Sequence, residues 1–160
     1  MLYLKILAVG KIKEKYLREG IAEYSKRLRP YVRLEITEVE DEPCPDKASA
    51  AEEERIKQKE AERLLRFLSA QDYVIALDLG GKNISSPELA DILADRALSG
   101  QNSIAFVIGG SLGLAQNILN RADFRWSFSK LTFPHQLIRV VLLEQIYRAC
   151  KINRGEVYHK

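Results

Sequence analysis

The sequence predicts an α/β protein with a largely parallel sheet flanked by helices. Short apolar runs, among them LYLKILAVG, DYVIALDLGG and SIAFVIGG, alternate with longer segments of helical spacing. That order builds a parallel sheet through helical crossovers. Two of the runs lead into paired glycines, Gly80–Gly81 and Gly109–Gly110, as strands do where they turn at the carboxyl edge of such a sheet. The 160 residues are 46% apolar and 29% charged, enough to bury one core, so 1–160 reads as a single domain.

The elements follow in order. LYLKILAVG is a buried strand. EKYLREGIAEYSKRLRP places Leu17, Ile21, Tyr24 and Leu28 at helical spacing, and Pro30 ends that helix. VRLEITEVE alternates Val32, Leu34 and Ile36 with Arg33, Glu35 and Thr37, which predicts a half-exposed strand. A loop with two prolines leads to a charged helix over about 48–68, whose apolar face is thin (Ile56, Leu64, Leu65, Leu68) and whose first half is expected in solvent. After the strand at 73–77, SSPELADILADRAL is a helix capped by Ser85 or Ser86, with Pro87 in its first turn and Glu88 at the positive end of its dipole. A strand at 104–108 precedes a short helix, AQNILNRA. FRWSFSKLTF is strand and loop, and Pro134 opens a last helix over 134–151. That helix is apolar on more than one face (Leu137, Ile138, Val141 and Leu142, but also Val140, Leu143 and Ile146). One sheet rarely covers so much helix, so a second copy of the chain across a two-fold axis is expected.

Several classes are set aside. The longest apolar runs are about five residues, against the ~18 that span a bilayer. The amino terminus places its charges after its apolar stretch and has no small-residue cleavage site, so it reads as a strand and not as an export signal. Cys44 and Cys150 match no metal spacing and suit a reducing cytoplasm. The net charge of +3 is uneven: residues 1–37 carry nine Lys/Arg against four Asp/Glu, 38–66 six against ten, 67–120 two against five, and 121–160 eight against three. Two basic ends around an acidic middle suit a polyanionic partner, or ordinary surface charge.

Ligands in open α/β folds bind at the carboxyl ends of strands. Three such ends stand out here: LDLGGK, IGGSLG and SFSKLTFP. Neither glycine pair belongs to G-x-G-x-x-G or G-x-x-x-x-G-K-[ST], and either alone could be a tight turn. One small ligand touching all three loops is the more specific reading. No nucleophilic triad is recognisable, and the only histidines are His135 and His159. His135, in a first helical turn, is expected to be structural and to bond locally. Asp78 ends a strand, Trp126 reads as core or interface, and Cys150 as a small buried apolar residue.

IGGSLGL, SFSKLTFPHQLIRVVLLEQIYRA and INRGEVYHK, together with LKILAVGKIK and VIALDLGGK, resemble the RlmH (YbeA-like) family of SPOUT-superfamily methyltransferases over the whole chain. The resemblance implies a C-terminal deep trefoil knot of the SPOUT type, against the general rule that chains do not thread loops. It implies a homodimer that uses S-adenosylmethionine to methylate N3 of a pseudouridine in large-subunit ribosomal RNA, on assembled ribosomes. It places the cofactor at Leu77, Gly109 and the loop Phe128, Ser129, Lys130, Leu131, Thr132 and Phe133.

The imide nitrogen of pseudouridine carries a proton, so the reaction needs positioning and deprotonation. His159 is the natural titrating candidate and Tyr158 can bond or stack on the base. Arg154 and Lys160 can meet phosphates or a developing anion. No metal is called for. Two competing classes remain at this stage: a non-catalytic RNA-binding protein, and a Rossmann-type methyltransferase, for which AVGKIKEK after the first strand is a poor glycine loop.

Overall fold

A computed structural model describes Met1 to Lys160. Five strands, β1 (Leu2–Val9), β2 (Val32–Val39), β3 (Tyr73–Lys82), β4 (Ser103–Ile108) and β5 (Phe124–Trp126), form one sheet in the order β2-β1-β4-β3-β5. Every pairing is parallel. The helices are α1 (Lys15–Leu28), α2 (Ala50–Leu65), α3 (Ser86–Leu98), α4 (Gln116–Arg121) and α5 (His135–Asn153).

The period-two arrangement of the strands supplies two cores. Leu4, Ile6 and Ala8 of β1, with Ile104, Phe106 and Ile108 of β4, face a layer made by α1, α3 and α5. Leu7 and Val9, with Val74, Ala105 and Val107, face α2 and the α4 segment through Ala61, Leu64, Ala115 and Ile118. Strands covered on both sides are near-continuously apolar, as β4 is, whereas the edge strand β2 alternates.

α5 is the middle helix of its layer and packs on both α1 and α3. Leu142, Leu143, Ile146, Ala149 and Cys150 are thereby buried within one chain. The chain's own α1 and α3 account for much of the apolar surface that the sequence assigns to a second copy; Leu137, Ile138, Val140 and Val141 stay only partly covered. α2 is mostly solvated in its first half, but one acidic residue of its second half, Glu60, is buried at 5% exposure.

The last residues do not fray. Gly155, at φ +66°, is the left-handed turn after α5. Its N–H donates to Ile152 O at 3.0 Å, and that of Glu156 to Lys151 O at 3.0 Å. This paired C-cap reverses the chain. Tyr158 then packs edge-on against Tyr147 of α5, with ring centroids 4.9 Å apart.

Candidate active site

β3 is interrupted on its way out of the sheet. It pairs with β5 up to Leu77, bulges through Asp78–Gly81, and rejoins at Lys82 opposite Trp126. Ser127 N–H donates to Lys82 O at 3.0 Å, and Asn83 Nδ2 to Ser127 O at 2.8 Å. The bulge and the segment after β5 are thus tied together. The β4 loop turns back on itself, where Gly113 N–H donates to Gly110 O at 3.0 Å. In the third loop Ser127 Oγ donates to Ser129 O, and Leu131 N–H to Ser129 Oγ, both at 3.0 Å.

These three loops and the first turn of α5 enclose a cleft of about 770 Å³ at the carboxyl edge of the sheet. Leu77, Gly109, Phe128, Ser129, Leu131, Thr132 and Phe133, which the resemblance assigns to a cofactor, line it. Lys130 does not line it and is exposed. Trp126 is core, meeting Phe128 edge-on at 4.3 Å, and forms the floor. Leu79, Leu131 and Phe133 leave apolar surface exposed beside the opening. A cleft of this size with apolar walls and few polar groups suits a nucleoside-sized ligand.

Three polar side chains join them. Asp78 accepts from Arg125 at 2.6 and 3.1 Å. Lys57 reaches over from α2, its ammonium 2.6 Å from Glu54. His135 also lines the cleft, and its ring makes no hydrogen bond within the chain, against the expected local bond. Burial, and then the Arg139 guanidinium, push its imidazole below the usual histidine range. Arg139, one turn further along α5, is buried at 1% exposure. It bonds Glu38 at 2.6 Å and donates to the carbonyls of Val9 and Gly10 at 3.0 and 2.6 Å, closing the carboxyl end of β1. Sequence reasoning missed His135 and Lys57 at the cleft; the Pro-His opening of an apolar helix was the one available signal for the former.

The tail residues lie elsewhere. Glu144 Oε1 accepts from Arg148 Nη2 at 2.6 Å and Nε at 2.9 Å, and from the Tyr158 hydroxyl at 3.2 Å. Arg148 Nη1 lies 3.1 Å from His159 Nδ1. Arg154 donates to Pro30 O at 3.0 Å and covers the Tyr31 ring, so its guanidinium also anchors the tail to the turn before β2. Lys160 is exposed. His135 opens α5 and Arg148 lies 13 residues on, a separation of about 20 Å along the axis. Within one chain, cleft and tail therefore sit toward opposite ends of the same helix.

No helix is long and apolar enough to cross a membrane, and no group of three or more His, Cys, Asp and Glu side chains could hold a metal ion.

Fold and cleft together define a parallel-sheet α/β protein with a nucleoside-sized cleft among three strand-end loops. The family model described as "Predicted SPOUT methyltransferase" matches residues 2–159, and the chain belongs to that family of methyltransferases. It is 58% identical over 160 residues, all of both chains, to a protein of Desulfitobacterium hafniense (strain Y51) named "Ribosomal RNA large subunit methyltransferase H". A Clostridium novyi (strain NT) protein of the same name is 59% identical over 157 residues, 98% of this chain and 99% of that one. Among solved structures, the A. aeolicus TrmH/SpoU tRNA modifying enzyme shares the fold, with a TM-score of 0.52 at 14% identity over 95% of this chain and 77% of that one.

Proposed function

We propose that this protein transfers a methyl group from S-adenosylmethionine to N3 of a pseudouridine in large-subunit ribosomal RNA. It acts as a homodimer on assembled ribosomes, in the cytoplasm where they reside. The observation that carries the reading is the cleft: seven of the eight residues assigned to the cofactor converge on it from three loops, in a chain whose full-length relatives are named for large-subunit RNA methylation.

The cleft fits the cofactor. Its backbone is drawn in so closely that a β-carbon on Gly109 would stand 2.7 Å from Gly113 C and O, and its walls are apolar with a few polar groups, as an adenine nucleoside requires. Leu77, Gly109 and the 128–133 loop would hold it, and when bound it supplies an activated methyl on sulfur. A trefoil knot formed from the β3 and post-β5 segments belongs to this reading, and the hydrogen bonds of 82–83 with 127 tie those two segments together.

The separation of cleft and tail along α5 is what makes the dimer part of the reading. With the tail held on α5 in each chain, a second copy brings Tyr158 and His159 to a cleft their own chain keeps away from them. There they meet the reacting base, while Arg154 and Lys160 meet phosphates. α1 and α5 lie side by side, so the two basic ends of the sequence share one layer, while α2 and the acidic loop that hydrogen-bonds to it lie toward the opposite face, which suits approach of RNA to the α1–α5 side.

Deleting Val157–Lys160 tests this. Calorimetry is expected to show cofactor binding retained, and transfer of tritiated methyl to ribosomes is expected to be lost. Full transfer by the truncated protein overturns the reading. Nucleoside mapping of ribosomes from a strain lacking the protein identifies the base and atom.

A further inference from the structure

The geometry points to His135 as the catalytic base that removes the imide proton, with His159 acting as a hydrogen-bond donor to the anion so formed. This rests on the reading that N3 of a pseudouridine is the methyl acceptor.

Only a group with a free lone pair can take the proton. A guanidinium can only donate, so at 3.1 Å His159 Nδ1 must accept from Arg148. The neutral ring then carries its proton on Nε2, and its outward nitrogen donates. That atom can hold a uracil carbonyl as charge develops on it, but it cannot take a proton. Tyr158 donates to Glu144, and burial, then the Glu144 charge, hold its phenol above the usual range, so it stays protonated and is no base either. Glu144 itself is occupied by Arg148 and Tyr158.

In the cleft, Lys57 is a cation beside Glu54, and Arg125 grips Asp78. His135 is the remaining titratable lining residue, and its ring nitrogens have no partner in the chain. Its Nε2 stands over Gly10, 4.0 Å from where a β-carbon there would be. The charged groups that act on it are Arg139 on α5 and Asp41 after β2; Lys57 of α2 and Asp78 of β3 line the same cleft. Burial and Arg139 outweigh Asp41 and favour the neutral ring, so near neutral pH His135 presents a free lone pair.

The step balances within these groups. The N3–H bond breaks and its proton passes to His135. The nitrogen pair forms the bond to the methyl carbon, whose bond to sulfur breaks with the pair left on sulfur as a thioether. The imidazolium then releases its proton to solvent.

The test is single-turnover methylation of undermethylated ribosomes at saturating cofactor between about pH 6 and 9, the range in which a histidine base and an unassisted imide separate. The wild type is expected to be flat above a midpoint below the ordinary histidine value. His135→Gln is expected to bind cofactor by calorimetry and to lose about 10²–10⁴-fold in rate at neutral pH, with the remaining rate rising about tenfold per pH unit as hydroxide replaces the base. His159→Gln is expected to lower the rate at every pH without changing the profile's shape. A wild-type profile in His135→Gln overturns the inference, as does a steepened one in His159→Gln. His135→Asn repeats the measurement with a shorter side chain should the first variant not fold. NMR titration of the histidine remaining in His159→Gln needs no catalysis, and a His135 midpoint above the ordinary value also overturns the inference. Methyl found on an atom other than N3 sinks the proposed function instead; N3 methylation with an unchanged His135→Gln profile sinks only this assignment.

Discussion

A β-carbon added at Gly81 would stand 2.6 Å from Arg125 C and O, and one added at Gly109 2.7 Å from Gly113 C and O. Backbone cannot swing aside as the end of a long side chain can, so an alanine at Gly81 forces the β3 bulge away from β5, and one at Gly109 forces its own loop open. The sites differ in consequence. Gly81 fixes the β3 bulge to β5, whereas Gly109 shapes the wall of the cleft. Gly109→Ala is expected to weaken S-adenosylmethionine binding by at least about tenfold, equivalent to about 1.4 kcal/mol, measured by calorimetry. Unchanged affinity would mean that the ligand does not lie against this loop. Backbone crowding of this kind is invisible in sequence, where Gly109 and Gly110 read alike; only the fold shows that Gly109 lies against the backbone of its own loop, whereas Gly110 meets the side chains of Val9 and Glu60.

Among the elements, α2 differs most from its sequence reading. Its first turn has the expected solvated character, with Ser49 and Glu52 forming a reciprocal capping box. Glu60, three turns on, is buried beside the β4 loop and accepts from Glu42 N–H at 3.0 Å. Burial raises its carboxyl above the usual glutamate value, the Glu42 N–H opposing this. The folded state therefore holds this proton more tightly than the unfolded chain, and the stability so gained is lost as pH rises through the raised value. Glu60→Gln keeps an acceptor for the N–H and removes the charge. It is expected to be at least as stable as wild type at neutral pH, the two converging below about pH 4, the ordinary glutamate range. Urea denaturation at both pH values checks this, and a clear loss at neutral pH would mean that the charge itself is needed. α5 offers a different lesson. Its several apolar faces are legible in sequence, but its neighbours are not, because hydrophobic periodicity reports that a face is covered and not by what.

For the whole molecule, the decisive length is the ~20 Å of α5 between cleft and tail. If two chains share each active site, light scattering is expected to show a dimer at micromolar concentration. Mixing Gly109→Ala with the tail-deleted chain is expected to restore activity, since mixed dimers contain one site with an intact cleft and an intact tail. Assayed at a cofactor concentration well below the Kd of Gly109→Ala, each parent is expected to have low activity alone. No recovery after subunit exchange would place the whole site in one chain.

The order of strands and helices, a serine cap at Ser85 or Ser86, and the three strand-end loops were legible in the sequence alone. These depend on backbone preference and on periodicity within a few residues, which neighbouring side chains encode directly. Tertiary structure decided the rest. It turned Lys130 outward while its loop neighbours line the cleft, set His135 into that cleft, covered α5 with α1 and α3, and folded Tyr158 and His159 back onto Glu144 and Arg148. Each of these is a meeting between residues far apart in the chain. Its outcome depends on how crossovers stack two helical layers on one sheet, which no local pattern specifies.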